Sequence, residues 1–255
     1  MKKELPILEF DSSGTSIINP SDIIRKKINI SENCVLTFFN DVIEHFNSKG
    51  ILRKIFTLKS EMGNHPVYEF EINNSRVALF NPGVGASLAA AHLEELIALG
   101  CKKFIACGGA GVLDKNITEG HLIIPSSAVR DEGTSYHYLP PSREVMPSAR
   151  GMEKIKKVLD LHKIPYIITK TWTTDGVYRE TRKKADMRKA EGCLVVEMEA
   201  AALFAVAVFR GVELAQLLYG GDNLDGEKWE DRNWQKNWSI REKLIWLAAE
   251  AVILK

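Results

Sequence analysis

The chain has 255 residues, 45% hydrophobic and 26% charged, and its 34 basic and 33 acidic residues leave a net charge of +1. This composition excludes a disordered or collagenous chain and suits a globular protein able to bury a sizeable core. Balanced charge gives no electrostatic footprint for nucleic acid or an anionic membrane, so a small molecule is the expected partner.

The opening stretch MKKELPILEF interrupts its apolar residues with acid and proline, unlike a signal peptide. The longest apolar run, 200–209, is far shorter than the ~20 residues that span a bilayer. A cytoplasmic protein is expected. Cys34, Cys101, Cys107 and Cys193 have no zinc-like spacing and sit among apolar residues or glycine, so buried free thiols are expected. The six histidines do not group at ligand spacing either, and neither a metal nor an organic cofactor is expected.

No internal repeat or low-complexity linker divides the chain, which predicts one domain over 1–255. Short apolar runs bounded by turn residues predict strands at 67–72, 76–80, 103–106, 121–124, 164–171, 194–196 and 212–218. Helical patterns fall between them at 87–100, ending in Gly100, at 150–162 and at 240–254. The Pro-rich 138–147 reads as a surface loop, and the four tryptophans after residue 228 as packing of the last helix. Strands alternating with helices argue for an α/β fold with a largely parallel, twisted sheet. Ligands of such sheets sit beyond the strand ends.

Four strand-end segments stand out. NPGVGAS (81–87) precedes a helix, and Gly83 and Gly85 could bring backbone N–H groups to an anion or simply make a tight turn. ACGGAG (106–111) has more glycine than a turn needs, which favours close approach of Gly108 and Gly109 to a ligand. VVEMEAAAL places Glu197, Met198 and Glu199 at a strand-to-helix junction. One carboxylate there could cap the helix, whereas the second is free to accept hydrogen bonds from a pair of hydroxyls. YGGDNLDG carries Asp222 after two glycines, either reaching into a cleft or closing a turn.

VVEMEAAALFAVA, preceded by TTDGVYRETR (173–182), CGGAGVL (107–113) and AVRDEGTSYHY (128–138), resembles the nucleoside phosphorylase I family from about residue 20 onward. The resemblance implies a three-layer α/β/α domain with a twisted mixed central sheet. It implies that Glu199 accepts hydrogen bonds from ribose hydroxyls, that Met198 packs on the sugar with Glu197 beside it, and that Asp222 protonates or hydrogen-bonds the departing base. A carboxylate beside the sugar would stabilise its oxocarbenium-like charge. The base pocket would include Val177, where an aromatic is usual, and Tyr178. Thr181 and Lys183 stand where uridine-cleaving members carry a Gln-x-Arg pair, which tilts the reading toward a purine. Phosphate would meet Gly83, Gly85 and Arg25, although Ala106 stands where phosphorylases carry an arginine. Lys59 or Arg25 could compensate. The family also implies a homodimer or a hexamer of dimers.

The expected activity is therefore phosphorolysis of a nucleoside to free base and pentose 1-phosphate, with inorganic phosphate as co-substrate. Hydrolysis by water and nucleoside binding without catalysis are the alternatives. His137 is a further candidate for the pocket, Arg179 is the charged residue expected nearest the base, and His92 reads as a satisfied helical histidine.

Overall fold

A computed structural model describes residues 2–24 and 28–255. Its strands are β1 (Asn33–Thr37), β2 (Arg53–Ser60), β3 (Gly63–Ile72), β4 (Ser75–Phe80), β5 (Lys103–Val112), β6 (Leu122–Asp131), β7 (Glu144–Val145), β8 (Tyr166–Thr174), β9 (Cys193–Glu197) and β10 (Glu213–Asn223). The helices are α1 (Pro20–Ile23), α2 (Asn40–Ser48), α3 (Ala86–Leu99), α4 (Ala149–Leu161), α5 (Arg182–Ala190), α6 (Ala200–Arg210) and α7 (Trp238–Ile253).

The strands form one mixed sheet. One part runs β2-β3-β4-β1-β5, with β1 parallel to β4 and β5. In the other part β5 pairs with both β10 and β9, and β10-β6-β8-β9 leads back to β5, so these pairings close a ring. β10 lies parallel to β5, β8 parallel to β6 and β9, and β5–β9 and β6–β10 are antiparallel.

Period-two alternation builds the layers. Leu36, Ala78, Phe80, Phe104 and Ala106 pack on one face with α3 and α6, while Val35, Val77, Leu79, Ile105 and Cys107 pack on the other with α2, α4 and α7. Helix α6, AAALFAVAVFR, is buried from Ala200 through Ala207, as an apolar helix must be. Gly211 ends it in the left-handed conformation. The expected helices at 87–100, 150–162 and 240–254 correspond to α3, α4 and α7. All four cysteines are buried free thiols.

Several segments differ from expectation. β1 and β2 have no counterpart among the expected strands. β5 and β10 run through ACGGAG and YGGDN, which are therefore strand and not loop. Their glycines answer to crowding: a Cβ on Gly111 would stand 2.5 Å from Leu224, and one on Gly220 would stand 3.0 Å from Ile117 and Val112. The 138–147 loop contains β7, which pairs with β6. Of the late tryptophans, Trp238 and Trp246 pack on the core, but Trp229 is exposed. Among the described residues no helix is long and apolar enough to cross a membrane.

Gly151 marks the closest approach of α4 to the sheet. A Cβ there would lie 2.8 Å from the Ala215 Cβ and 3.4 Å from its backbone nitrogen, and neither is a flexible side-chain end. Gly151→Ala should therefore lift α4 from β10 and cost about 1–3 kcal/mol, read as a lower urea midpoint at unchanged slope.

Candidate active site

The site is assembled where β9 gives way to α6. Glu197 ends the strand, and its Oε2 accepts from the backbone N–H groups of Glu199 (2.7 Å) and Ala200 (2.6 Å). Its Oε1 accepts from the hydroxyls of Thr173 (2.6 Å) and Thr171 (3.2 Å) on β8. Glu197 thus satisfies the first N–H group of α6, and the Thr173 hydroxyl accepts from the next, Ala201 N–H, at 3.0 Å. Glu199, the residue preceding α6, is held from the opposite side: Oε1 accepts from Gly85 N–H at 2.6 Å and Oε2 from Met198 N–H at 3.3 Å. Both glutamates are only 6% exposed.

Burial raises both carboxyls. The four donors around Glu197 oppose the rise and favour its ionised form. Glu199 has fewer donors and feels the charge of Glu197 after burial, which pushes it up to about 8.

A cavity of about 550 Å³ opens beside this junction. Val84, Met198 and Glu199 line it together with Gly109, Ala110, Gly111, Val177, Glu180, Asp222 and Leu224. Asp222 accepts from the Trp229 indole N–H at 2.7 Å, and burial raises its carboxyl. Glu180 is pushed up to about 7, first by burial and then by the charge of Asp222. Elsewhere the cavity meets Phe38, Phe39, Trp234, Gln216 and Arg241, whose guanidinium makes two 2.6 Å bonds to Asp41. Gln216 is 1% exposed, and among the described residues neither its amide oxygen nor its amide nitrogen has a partner. It is the register partner of Ala106.

The structure thus brings Glu197, Met198, Glu199, Gly109, Val177 and Asp222 to one cavity. Other expectations need correction. Tyr178 is 96% exposed and outside the cavity wall, because side chains of the 3-10 turn Val177–Arg179 point in different directions and Val177 takes the inward one. Arg179 is also exposed. Thr181 is the N-cap of α5, accepting from Lys184 N–H, and neither it nor Lys183 lines the cavity. Gly108 is buried beneath Phe38, whose ring would stand 2.9 Å from a Cβ there.

The phosphate residues fare differently. Gly83 N–H bonds Asn81 Oδ1 at 2.9 Å, and Gly85 N–H is taken by Glu199, so neither amide is presented to an anion. Both glycines have positive φ, +77° and +99°, which explains their identity by backbone conformation. Arg25 lies outside the described residues. Lys59 sits on β2 away from the cavity wall, and His137 lines a different cavity with Ser87, Asp175 and Arg210. His92 is buried, its Nδ1 2.8 Å from Pro82 O, and so pins the loop that holds Glu199. Among the described residues no three His, Cys, Asp or Glu side chains group as a metal site.

Sequence reasoning missed Glu180, Gln216, Asp41 and Arg241. Glu180 lies inside the quoted YRETR, but exposed charge is the ordinary reading of so charged a segment. Asp41 and Arg241 are 200 residues apart, and nothing in the sequence pairs them.

A residue pattern describing the phosphorylase superfamily matches residues 36–252, and the chain belongs to that family. A purine nucleoside phosphorylase of DeoD type from Bacillus cytotoxicus is 28% identical over 243 residues, 93% of each chain. A guanosine phosphorylase from Halorubrum lacusprofundi is 23% identical over 167 residues, 66% of this chain and 69% of that one. A solved AMP nucleosidase from Bacteroides thetaiotaomicron superposes with a TM-score of 0.73 at 23% identity, over 92% of this chain and 97% of that one. A solved uridine phosphorylase from Vibrio fischeri gives 0.71 at 21% identity, over 88% and 92%. The protein is an enzyme of the nucleoside phosphorylase and nucleosidase class, which acts on glycosidic bonds.

The raised carboxyl of Glu199 sets a pH dependence of stability. Between its ordinary value of 4.5 and about 8, the folded chain keeps a proton that the unfolded chain has released, so stability falls as pH rises through that window. Glu199→Gln cannot ionise. Its melting temperature relative to the parent should climb from about pH 5 to about pH 8, followed by calorimetry at constant ionic strength.

Proposed function

We propose that the protein is a nucleoside phosphorylase acting on purine nucleosides, releasing free base and pentose 1-phosphate. The observation that carries the reading is that Glu199, Met198 and Asp222 line one cavity. In this reading the ionised Glu199 accepts from the ribose 2′- and 3′-hydroxyls, and Met198 packs on the sugar. The positive charge that develops on the sugar as the N-glycosidic bond breaks is stabilised by the nearby carboxylates. Asp222, raised by burial, supplies a proton or hydrogen bond to the purine ring as it leaves. Val177, with Gly109 and Gly111, borders the base. The purine nucleoside phosphorylase relatives support both the purine and the phosphate.

A second reading, hydrolysis, is favoured by the lining charges. Among the described lining residues the carboxyls of Asp41, Glu180, Glu197, Glu199 and Asp222 accompany one guanidinium, Arg241, which Asp41 already engages, and no carboxyl, ionised or neutral, supplies counter-charge to an anion. With Ala106 apolar and Gln216 neutral beside it, water meets less repulsion there than a phosphate dianion. Phosphorolysis in turn asks for cations beyond the described lining residues, from Arg25 or from a neighbouring subunit of a homodimer or hexamer. The reading places the enzyme in the cytoplasm, without metal or organic cofactor.

Purified protein incubated with inosine, adenosine, guanosine and uridine, with and without phosphate, separates the readings by the mass of the sugar product. Pentose 1-phosphate formed only with phosphate supports phosphorolysis; free pentose at equal rates in both supports hydrolysis. Glu199→Ala should lower kcat/KM at least ~100-fold in either case. Asp222→Asn should slow purine nucleosides far more than uridine, and equal losses would remove its role at the base.

A further inference from the structure

Gly85, whose N–H meets Glu199, sits in a loop whose course is set from helix α3. Within the loop, Gly83 N–H is turned onto Asn81 Oδ1 at 2.9 Å, and Pro82 has no N–H to offer. The carbonyl of the buried Pro82 meets His92 of α3, whose Nδ1 lies 2.8 Å from the oxygen. A carbonyl oxygen only accepts, so Nδ1 carries the ring proton. Burial holds the ring below the ordinary histidine range, which keeps it neutral and leaves Nε2 bare. The ring packs on Phe80, the residue before the loop, and on His65 of β3, with centroids 5.1 and 4.5 Å away. His65 is itself tied to Ser60 Oγ through Nε2 at 2.7 Å.

We propose that His92 is a positioning residue for Glu199: by fixing Pro82 O it presents Gly85 N–H to Glu199 Oε1, and so sets the direction and charge state of that carboxyl. This rests on the reading in which Glu199 accepts from the ribose hydroxyls. Without the ring donor, the Pro82 carbonyl would be buried and unpaired, and the loop would gain by turning it toward another donor. Gly85 lies three residues on and would move with it, weakening the 2.6 Å bond to Glu199. A backbone N–H on a carboxylate favours its ionised form, so losing it pushes Glu199 further toward neutrality. The other charges that bear on Glu199 are Glu197 beside it and Asp175 after β8, and both push the same way. A protonated carboxyl gives up part of its acceptor capacity, so the sugar hydroxyls are held less well.

The test is the pH profile of kcat/KM in variants of His92. His92→Leu removes the donor, His92→Met removes it with a more pliable side chain should the leucine fail to fold, and His92→Asn keeps an N–H near the place of Nδ1. On the proposed reading kcat/KM rises with pH as Glu199 ionises in the free enzyme. In the donorless variant that limb should move up by at least about 0.5 pH unit, a ~3-fold loss at about pH 7 that is recovered above about pH 9. His92→Asn should return the limb to its place in the parent. A 2′-deoxynucleoside asks one contact fewer of Glu199, so the preference for ribose should narrow at least ~2-fold in the donorless variant. Equal losses at every pH with the limb unmoved, or a His92→Asn that behaves like His92→Leu, would overturn the assignment.

If the parent cleaves no nucleoside, the proposed function falls by itself, and melting temperatures decide the role of His92. Stability lost through Glu199 stops falling at its folded value of about 8, so a carboxyl raised further keeps losing stability beyond that pH. The donorless variant should therefore fall away from His92→Asn between about pH 8 and 9, and the divergence should vanish when both carry Glu199→Gln. Parallel curves, or a divergence that persists with Glu199→Gln, would remove His92 from the control of Glu199.

Discussion

The 2.6 Å hydrogen bond from Gly85 N–H to Glu199 ties together two strand-to-helix junctions 114 residues apart. On one side stands the loop between β4 and α3, shaped by two glycines at positive φ and pinned by His92 through Pro82 O. On the other stands the β9–α6 junction, where Glu197 holds the backbone of Glu199 and Ala200. α3 and α6 share one face of the sheet, so packing brings the junctions together before any ligand arrives. The bond then sets where the Glu199 carboxyl can point.

The two glutamates divide the work that their spacing suggests. Glu197 is saturated with four donors and serves the helix terminus, and Glu199 keeps acceptor capacity beyond its two backbone donors. Two carboxylates so close and so buried resist ionising together. The donor count separates them: four donors oppose the rise at Glu197, whereas burial and the charge of Glu197 hold Glu199 back toward its neutral form. In the proposed reading a sugar turns its hydroxyls toward Glu199 and develops positive charge beside it, which reverses that bias. Catalytic need and folded stability therefore pull on the same proton in opposite directions.

Much of this was legible in the sequence because it rests on local pattern. The Glu-Met-Glu segment is conspicuous against an otherwise apolar run, and helices α3, α4 and α7 follow from periodicity and from the glycine after α3. Strand lengths were not legible, because glycine normally breaks a strand. β5 and β10 continue through glycines chosen by what presses on them, such as Phe38 on Gly108 and Leu224 on Gly111. That pressure comes from distant residues. The same limit applied to the anion site: Gly83 and Gly85 look like a phosphate cradle until the partners of their N–H groups, Asn81 and Glu199, are known.

The cavity's charge makes the larger argument. Five of its described lining residues are carboxylic acids, and its arginine is already engaged by one of them. Ionised or neutral, such carboxyls offer lone pairs to a cation and no counter-charge to a dianion. In the proposed reading a sugar losing its base in this cavity becomes cation-like, so the wall favours bond breaking whichever nucleophile follows. The nucleophile faces the opposite field. Phosphate needs counter-charge that these lining residues do not supply, whereas water needs only an acceptor and room. In the proposed reading the same acidity that favours positive charge on the sugar makes the choice of nucleophile depend on charge that these described lining residues do not supply.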